Sequence, residues 1–137
     1  MLGDHLVFPI LLSMDLKESR AFYHDTLGLD ILRESDERIM FRCGGGSQLT
    51  VSLSTTGTSD TQTQLAWRVP DLRAELADLR ARGVTIQEYQ LPDPETQDGI
   101  ADMGFAWAAW IVDPSGNVLG LIQPKAPGGA EVAPQVG

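Results

Sequence analysis

"SMDLKESRAFYHDTLGLDI", residues 13–31, reads as the end of a strand, a helix and the start of a second strand. Asp15 is placed to cap the helix, because its short carboxylate accepts the backbone N–H groups that a first turn leaves unpaired. Leu16, Ser19, Phe22, Tyr23 and Leu27 recur at helical spacing and form one face. Gly28 then stands where a left-handed residue ends a helix at little steric cost. The pattern returns in "RVPDLRAELADLRARGVTI", residues 68–86, with Asp71 as cap, Leu72, Leu76 and Leu79 on one face, and Gly83 past the end. Self-similarity at so long a period implies two copies of one module rather than a solenoid.

Working outward, "HLVFPILLSM" (5–14) is an apolar stretch with polar flanks and reads as a strand. After the first helix come "LDILRES" (29–35), "RIMFRC" (38–43) and "QLTVSLS" (48–54), separated by turns at Asp36 and at "GGGS" (44–47). "TTGTSDTQT" (55–63) is polar and reads as the linker. The second half repeats the order: "QLAWRV" (64–69), the helix, "VTIQEYQL" (84–91), a long loop (92–104), then "FAWAAWIV" (105–112) and "NVLGLIQ" (117–123) as a hairpin. Its turn, "DPSGN" (113–117), is made entirely of turn formers. Gly120 interrupts the apolar run that follows, and a glycine inside a strand marks a bulge or a close approach.

Composition narrows the class. The 137 residues suit one ordinary domain, and 42% hydrophobic with 21% charged residues suits a soluble one. No apolar run approaches the roughly 20 residues of a membrane span. "MLGDHLVFPI" has no basic n-region, so no signal peptide is expected. A net charge of −9 with only ten Lys and Arg argues against nucleic acid, whose binding rests on neutralising phosphates. Cys43 is the single cysteine, so no internal disulfide forms, and a reducing, cytoplasmic setting is expected. As a nucleophile Cys43 would need a nearby base, and neither His5 nor His24 is placed by a motif.

On "MDLKESRAFYHDTLGLDI" (14–31) and "AAWIVDPSGNVLGLIQ" (108–123), the chain resembles the vicinal oxygen chelate superfamily, which includes glyoxalase I, bleomycin-resistance proteins and extradiol dioxygenases. The likeness spans residues 6–124. It implies an α+β fold in which two βαβββ modules form a curled mixed sheet around a central cavity, with the helices outside. The expected division is a single domain, 1–124, with modules 5–54 and 63–124, linker 55–62, and a flexible tail at 125–137 rich in Pro, Gly and Ala.

Family enzymes hold a divalent metal on the first and last strands of each module, typically with His or Gln on the first and Glu on the last. Carried over, the first-strand positions lie seven residues before each helix-capping Asp, at Phe8 and Gln64. The last-strand positions are Thr50, or Ser52 in another register, and Gly120, seven residues after Asp113. Neither a carboxylate nor an imidazole remains. A catalytic metal usually takes about three protein ligands, so the resemblance implies no metal and no cofactor here. Shifting the register by one offers only Pro9, Leu49 or Val51, Leu65, and Leu119 or Leu121.

Side chains alternate across a strand. If Phe8 and Gln64 face inward, so do Ile10, Leu12 and Ala66, while Trp67 faces a helix. Pairing about 113–117 is expected to set Ile111 opposite Gly120, with Trp107 and Ala109 on the same inward face and Trp110 outside. A slip of one residue exchanges Trp107 for Trp110. The expected ligand-binding set is therefore Phe8, Thr50, Gln64, Trp107, Ile111 and Gly120, with Arg68 as a further polar point. Apolar walls with few directed polar groups suit a small-molecule pocket, although each aromatic taken singly also suits an ordinary core. Asp93, Glu95, Asp98, Asp102 and Glu88, in or beside the long loop, would attract a cation or simply be solvated.

The expected function is metal-independent binding of a small organic molecule, aromatic or cationic, by a homodimer similar to the bleomycin-resistance branch, with no nucleic-acid or membrane partner. The alternative is a metal-dependent lyase or dioxygenase of the same superfamily with a displaced site, using residues such as His5, Glu88 or Asp102. A metal-free enzyme relying on Cys43 or Tyr23 has no second partner for either group in the sequence.

Overall fold

Pro9 decides where the first strand begins. It has no N–H to give a ladder, and in the computed structural model β1 covers only Ile10–Ser13 rather than residues 5–14. The Pro9 carbonyl still accepts from Thr50 N at 3.0 Å, but Leu6 and Val7 beyond it are 88% and 92% exposed. The structure describes residues 1–56, 61–90 and 94–125. The middle of the expected linker, Asp93 and the expected tail after Lys125 lie outside them.

The described chain forms two compact units, one of residues 1–62 with 113–117, the other of 63–112 with 118 onward. In the first, the Asp15 carboxylate accepts from Lys17 N and Glu18 N and starts α1, Leu16–Arg20. From Ala21 to Thr26 the helix continues in wider π turns, with Leu27 N bonded to Phe22 O. Strands β2 (Asp30–Glu34), β3 (Arg38–Arg42) and β4 (Gln48–Leu53) follow. The tight turn before β4 needs positive φ at Gly45 and Gly46, which only glycine adopts freely. The sheet order is β1-β4-β3-β2, with β1 parallel to β4 and the other pairs antiparallel. Leu11, Ile39, Phe41, Leu49 and Val51 make its buried face, and the Phe41 ring lies 5.5 Å from that of Tyr23 on the helix.

The second unit repeats the topology. It contains β5 (Thr63–Arg68), α2 (Leu72–Ala81), two short strands β6 (Thr96–Gln97) and β7 (Ile100–Asp102), and the hairpin of β8 (Ala106–Val112) and β9 (Val118–Pro124). The order is β5-β9-β8-β7-β6, and β5 runs parallel to β9 as β1 does to β4. The fold is mixed α+β with two mixed sheets, as the resemblance implies.

One element differs from expectation. Residues 84–90 of the expected strand 84–91 do not form one, Leu91 lying outside the described residues, and β6 and β7 form inside the expected loop instead. Gln87 N makes one ladder-like bond to Trp110 O. Thr96 then takes over Tyr89, with Tyr89 N donating to Thr96 Oγ1 at 2.8 Å and Thr96 N to Tyr89 O at 3.1 Å. Backbone groups satisfied by a local crossing have no need of a longer ladder.

Candidate functional site

Each sheet has one face packed by a helix and one without. On the helix-free face of the first sheet, cross-strand pairing sets Ile10, Thr50, Met40 and Arg33 in one row. Leu12, Ser52 and Arg38 form the next, and Gln48, Arg42 and Asp30 flank it on the other side. Phe8 lies just outside the β1 ladder, 43% exposed. Thr50 is only 4% exposed, and its Oγ1 has no hydrogen-bond partner among the described residues.

In the second sheet the hairpin register differs by one from expectation: Trp110, not Ile111, stands opposite Gly120. The turn is the reason. Asp113 N donates to Asn117 O, and Gly116, at φ 91°, donates to Asp113 O, so the loop proper has three residues, 114–116. A three-residue loop closing on a left-handed glycine is a favoured hairpin connection. The slip turns Trp107, Ala109 and Ile111 to the helix side. Trp107 pairs with Gln123, whose Oε1 caps Leu72 N at the start of α2, and it lines a hollow of about 220 Å³ with Asp71, Leu72, Arg73 and Ile100. Trp67, opposite Leu121, lies on that side too, as expected.

Trp110 instead occupies the helix-free face. Its Nε1 donates to Thr63 Oγ1 at 3.0 Å, its ring meets Tyr89 edge-on at 5.5 Å, and it packs in a cluster with Ala101, Ala108 and Val118. A Cβ on Gly120 would lie 3.3 Å from Thr63 Cγ2, 3.4 Å from Ala66 Cβ and 3.6 Å from Trp110 Nε1. A methyl group at 120 would thus fit tightly against Thr63 and Ala66 and make ordinary contact with the indole nitrogen. Gln64 sits at a bulge between Thr63 and Leu65, and its Oε1 accepts from Val118 N at 3.0 Å, filling the break in the ladder. Within this unit Gly120, Ala66 and Trp110 come together, while Trp107 and Ile111 lie across the sheet from them.

These residues do not fit the family's metal. Phe8 has no donor, the Gln64 oxygen is engaged, and Gly120 has no side chain. Of the four positions only Thr50 offers a free oxygen, a neutral hydroxyl. Among the described residues no three His, Cys, Asp or Glu side chains gather in one place. Two of the three residues considered for a displaced site, Glu88 and Asp102, are engaged elsewhere. Glu88 accepts from the Thr96 hydroxyl. Asp102 binds Lys125 Nζ and Gly104 N, and the lysine chiefly holds its carboxyl below the usual range. Glu88, Glu95 and Asp98 instead line an open hollow of about 600 Å³ with Tyr89, Gln90 and Thr96.

Tyr23 is fully buried and donates to Asp113 Oδ2 at 2.7 Å. Asn117 Nδ2 donates to the same oxygen and to Leu12 O, and Ser115 N and Asn117 N take Asp113 Oδ1. Burial, and then the Asp113 charge, push the Tyr23 hydroxyl far above its ordinary range. Tyr23 is therefore a structural donor with no access to a substrate.

Both motifs joined by this bond lie within the stretch that matches a known family. A family model described as Glyoxalase/Bleomycin resistance protein/Dioxygenase superfamily matches residues 4–121. The chain belongs to that superfamily. Solved members of the glyoxalase/bleomycin resistance fold share its shape at low identity. A glyoxalase/bleomycin resistance protein/dioxygenase from Alicyclobacillus acidocaldarius is 19% identical with a TM-score of 0.67, covering 90% of this chain and 93% of its own. A bleomycin-binding protein, solved in complex with bleomycin, is 23% identical with a TM-score of 0.65, covering 88% and 99%. TnmS3, an antibiotic binding protein from Streptomyces sp. CB03234, is 24% identical with a TM-score of 0.63, covering 88% and 96%. Comparison with curated proteins finds no match. Among the described residues of this superfamily member, no helix is long and apolar enough to cross a membrane.

Sequence reasoning named Trp110 only as the result of a one-residue slip and missed the arginines beside Met40. The Trp110 signal was present in the three-residue loop. The position of Arg33 depends on a bulge in β2 that no local pattern marks.

Proposed function

We propose that this superfamily member is a metal-independent small-molecule binding protein. The observation that carries the reading is the Trp110 indole beside Gly120, where a ligating side chain would have to be. The aromatic edge at the Trp110–Tyr89 pair is the kind of apolar wall that holds an organic ligand. Relatives of the same fold bind bleomycin and an antibiotic, which supports a small-molecule partner by analogy of fold. The ligand has an aromatic body. A cationic group on it is favoured by the net charge of −9 and by Glu88, Glu95 and Asp98 around the hollow beside Tyr89.

We propose a cytoplasmic homodimer whose residues 1–124 act as one domain. The exposed apolar stretch Leu2, Leu6, Val7, Ile10 and Met14 supports association, since surfaces of this kind are usually covered in solution. Light scattering tests the dimer, and limited proteolysis tests the single resistant core.

The test of function is titration of untagged protein with neutral and cationic aromatic compounds, followed by tryptophan fluorescence, with and without a chelator. Saturable binding that the chelator leaves unchanged is expected. Absence of binding across the panel, or binding that needs Zn, Ni, Fe or Mn, would overturn the reading in favour of a metal-dependent enzyme.

A further inference from the structure

The helix-free face of the first sheet carries a cluster of charges that the aromatic binding reading does not use. Met40 is at its centre. Arg38 and Arg42 flank it two residues away along β3, while Arg33 on β2 and Thr50 on β4 are paired directly with it. Such direct pairs share a face, and diagonal neighbours lie about 7–8 Å apart, within reach of long side chains. The three arginines and Thr50 therefore surround Met40 on one face of the sheet.

Arg33 reaches this face through a bulge. Asp30 pairs with Arg42 and Ile31 with Phe41, but the next pair is Arg33 with Met40, so Leu32 is the extra residue. Regular pairing would set Leu32 opposite Met40 and turn Arg33 to the helix side. The bulge leaves Leu32 41% exposed and puts a cation in its place.

No ion pair among the described residues neutralises the cluster. Arg20, Arg82 and Lys125 each have a carboxylate partner, whereas none of Arg33, Arg38 and Arg42 makes an ion pair among the described residues. The acidic residue that shares their face, Asp30, stands opposite Arg42 without an ion pair. Like charges side by side on a sheet repel, and acidic side chains outnumber basic ones nineteen to ten in this chain. Thr50, 4% exposed with an unpartnered Oγ1, adds a buried hydroxyl with nothing to donate to. Ile10 and Leu12, exposed on the neighbouring strand, add an apolar border.

We propose that this face binds a small organic carboxylate. Two of the three arginines would grip the planar anion by paired N–H bonds, the geometry at which guanidinium excels. Thr50 would donate a further hydrogen bond, and the apolar body would lie over Ile10 and Leu12. The inference rests on reading the helix-free faces as ligand-facing, and it adds a binding chemistry distinct from the acidic hollow beside Tyr89.

Calorimetry with 2-naphthoate, 2-naphthylmethylamine and inorganic phosphate tests it, on wild type, Arg33→Gln/Arg38→Gln and Thr50→Val, with thermal melts as a folding control. Naphthoate is expected to bind wild type, to weaken about tenfold or more in the double variant, to weaken in Thr50→Val, and to weaken as salt is added, while amine binding stays unchanged in the arginine variants. If the double variant does not fold, Arg38→Gln and Arg42→Gln singly carry the same comparison. Equal naphthoate binding in wild type and arginine variants overturns the proposal, as does phosphate binding as tightly as naphthoate. Binding of the amine alone overturns it while leaving the small-molecule reading intact. Binding of none of the three overturns it and counts against that reading as well.

Discussion

The Tyr23 hydroxyl donates to Asp113 Oδ2 at 2.7 Å across ninety residues of sequence, and both side chains are buried. The tyrosine comes from the helix of the first module and the aspartate from the turn of the last hairpin. Three more donors, Asn117 Nδ2, Ser115 N and Asn117 N, complete the shell around the carboxylate. A buried carboxylate is tolerated only when hydrogen-bonded in this way.

Tyr23→Phe removes one donor and leaves the other three. A loss of about 1–3 kcal/mol is expected, read from urea unfolding. A loss near zero would show that water or Asn117 satisfies Asp113 without the tyrosine.

The same bond gives a pH dependence of definite sign. The folded-state pKa of Tyr23 is raised, first by burial and then by the Asp113 charge, above the value of about 10 it has when unfolded. Its contribution is complete below that unfolded pKa and is lost progressively as pH rises above it. Wild type should therefore lose stability more steeply above pH 10 than Tyr23→Phe does. Parallel curves for the two proteins would remove the basis of this assignment.

Gly120→Ala brings a methyl group within 3.3–3.4 Å of Thr63 Cγ2 and Ala66 Cβ. Such overpacking should cost about 1–3 kcal/mol. Gly120→Glu should cost more and still recruit no metal, because among the described residues no three His, Cys, Asp or Glu side chains gather in one place. Stoichiometric metal by elemental analysis in Gly120→Glu, with stability intact, would contradict this account.

The two tryptophans of β8 should behave differently. Trp110→Ala empties a packed site and should cost about 3–5 kcal/mol, whereas Trp107, more than a third exposed, should cost markedly less. Trp110→Phe, which keeps the ring but loses the bond to Thr63, should abolish ligand-induced fluorescence quenching, and Trp107→Phe should retain it. The reverse result would return the site to the face first expected from the sequence.

Asp15 and Asp71 are equivalent caps in the two modules, and each Asp→Ala change should cost about 1 kcal/mol by thermal unfolding. Asp15 accepts from two backbone N–H groups and Asp71 from one, so the loss at Asp15 should be at least as large.

Much of the fold was legible because the signals were local. The caps at Asp15 and Asp71, the helix-ending glycines and the repeated order of elements each depend on a few neighbouring residues. The positions Phe8, Gln64 and Gly120 were reached through the family resemblance, at fixed spacing from Asp15, Asp71 and Asp113. The extent of β1 was misread through Pro9, and residues 84–91 through Thr96, which claims Tyr89 from outside the window where the strand pattern appears.

Chain order and residue chemistry were thus determined by the sequence: two related modules, and first- and last-strand positions at Phe8, Thr50, Gln64 and Gly120 with no charged ligand. Which side chains face together was decided only in the tertiary structure. The segment Ala106–Val112 has tryptophans three apart, so either register buries one and turns the other away; the loop closed by Asp113 and Asn117 makes the choice. The bulge at Leu32 does the same for Arg33. Side chains on a strand repeat every two residues, so a shift of one residue moves a group to the opposite face.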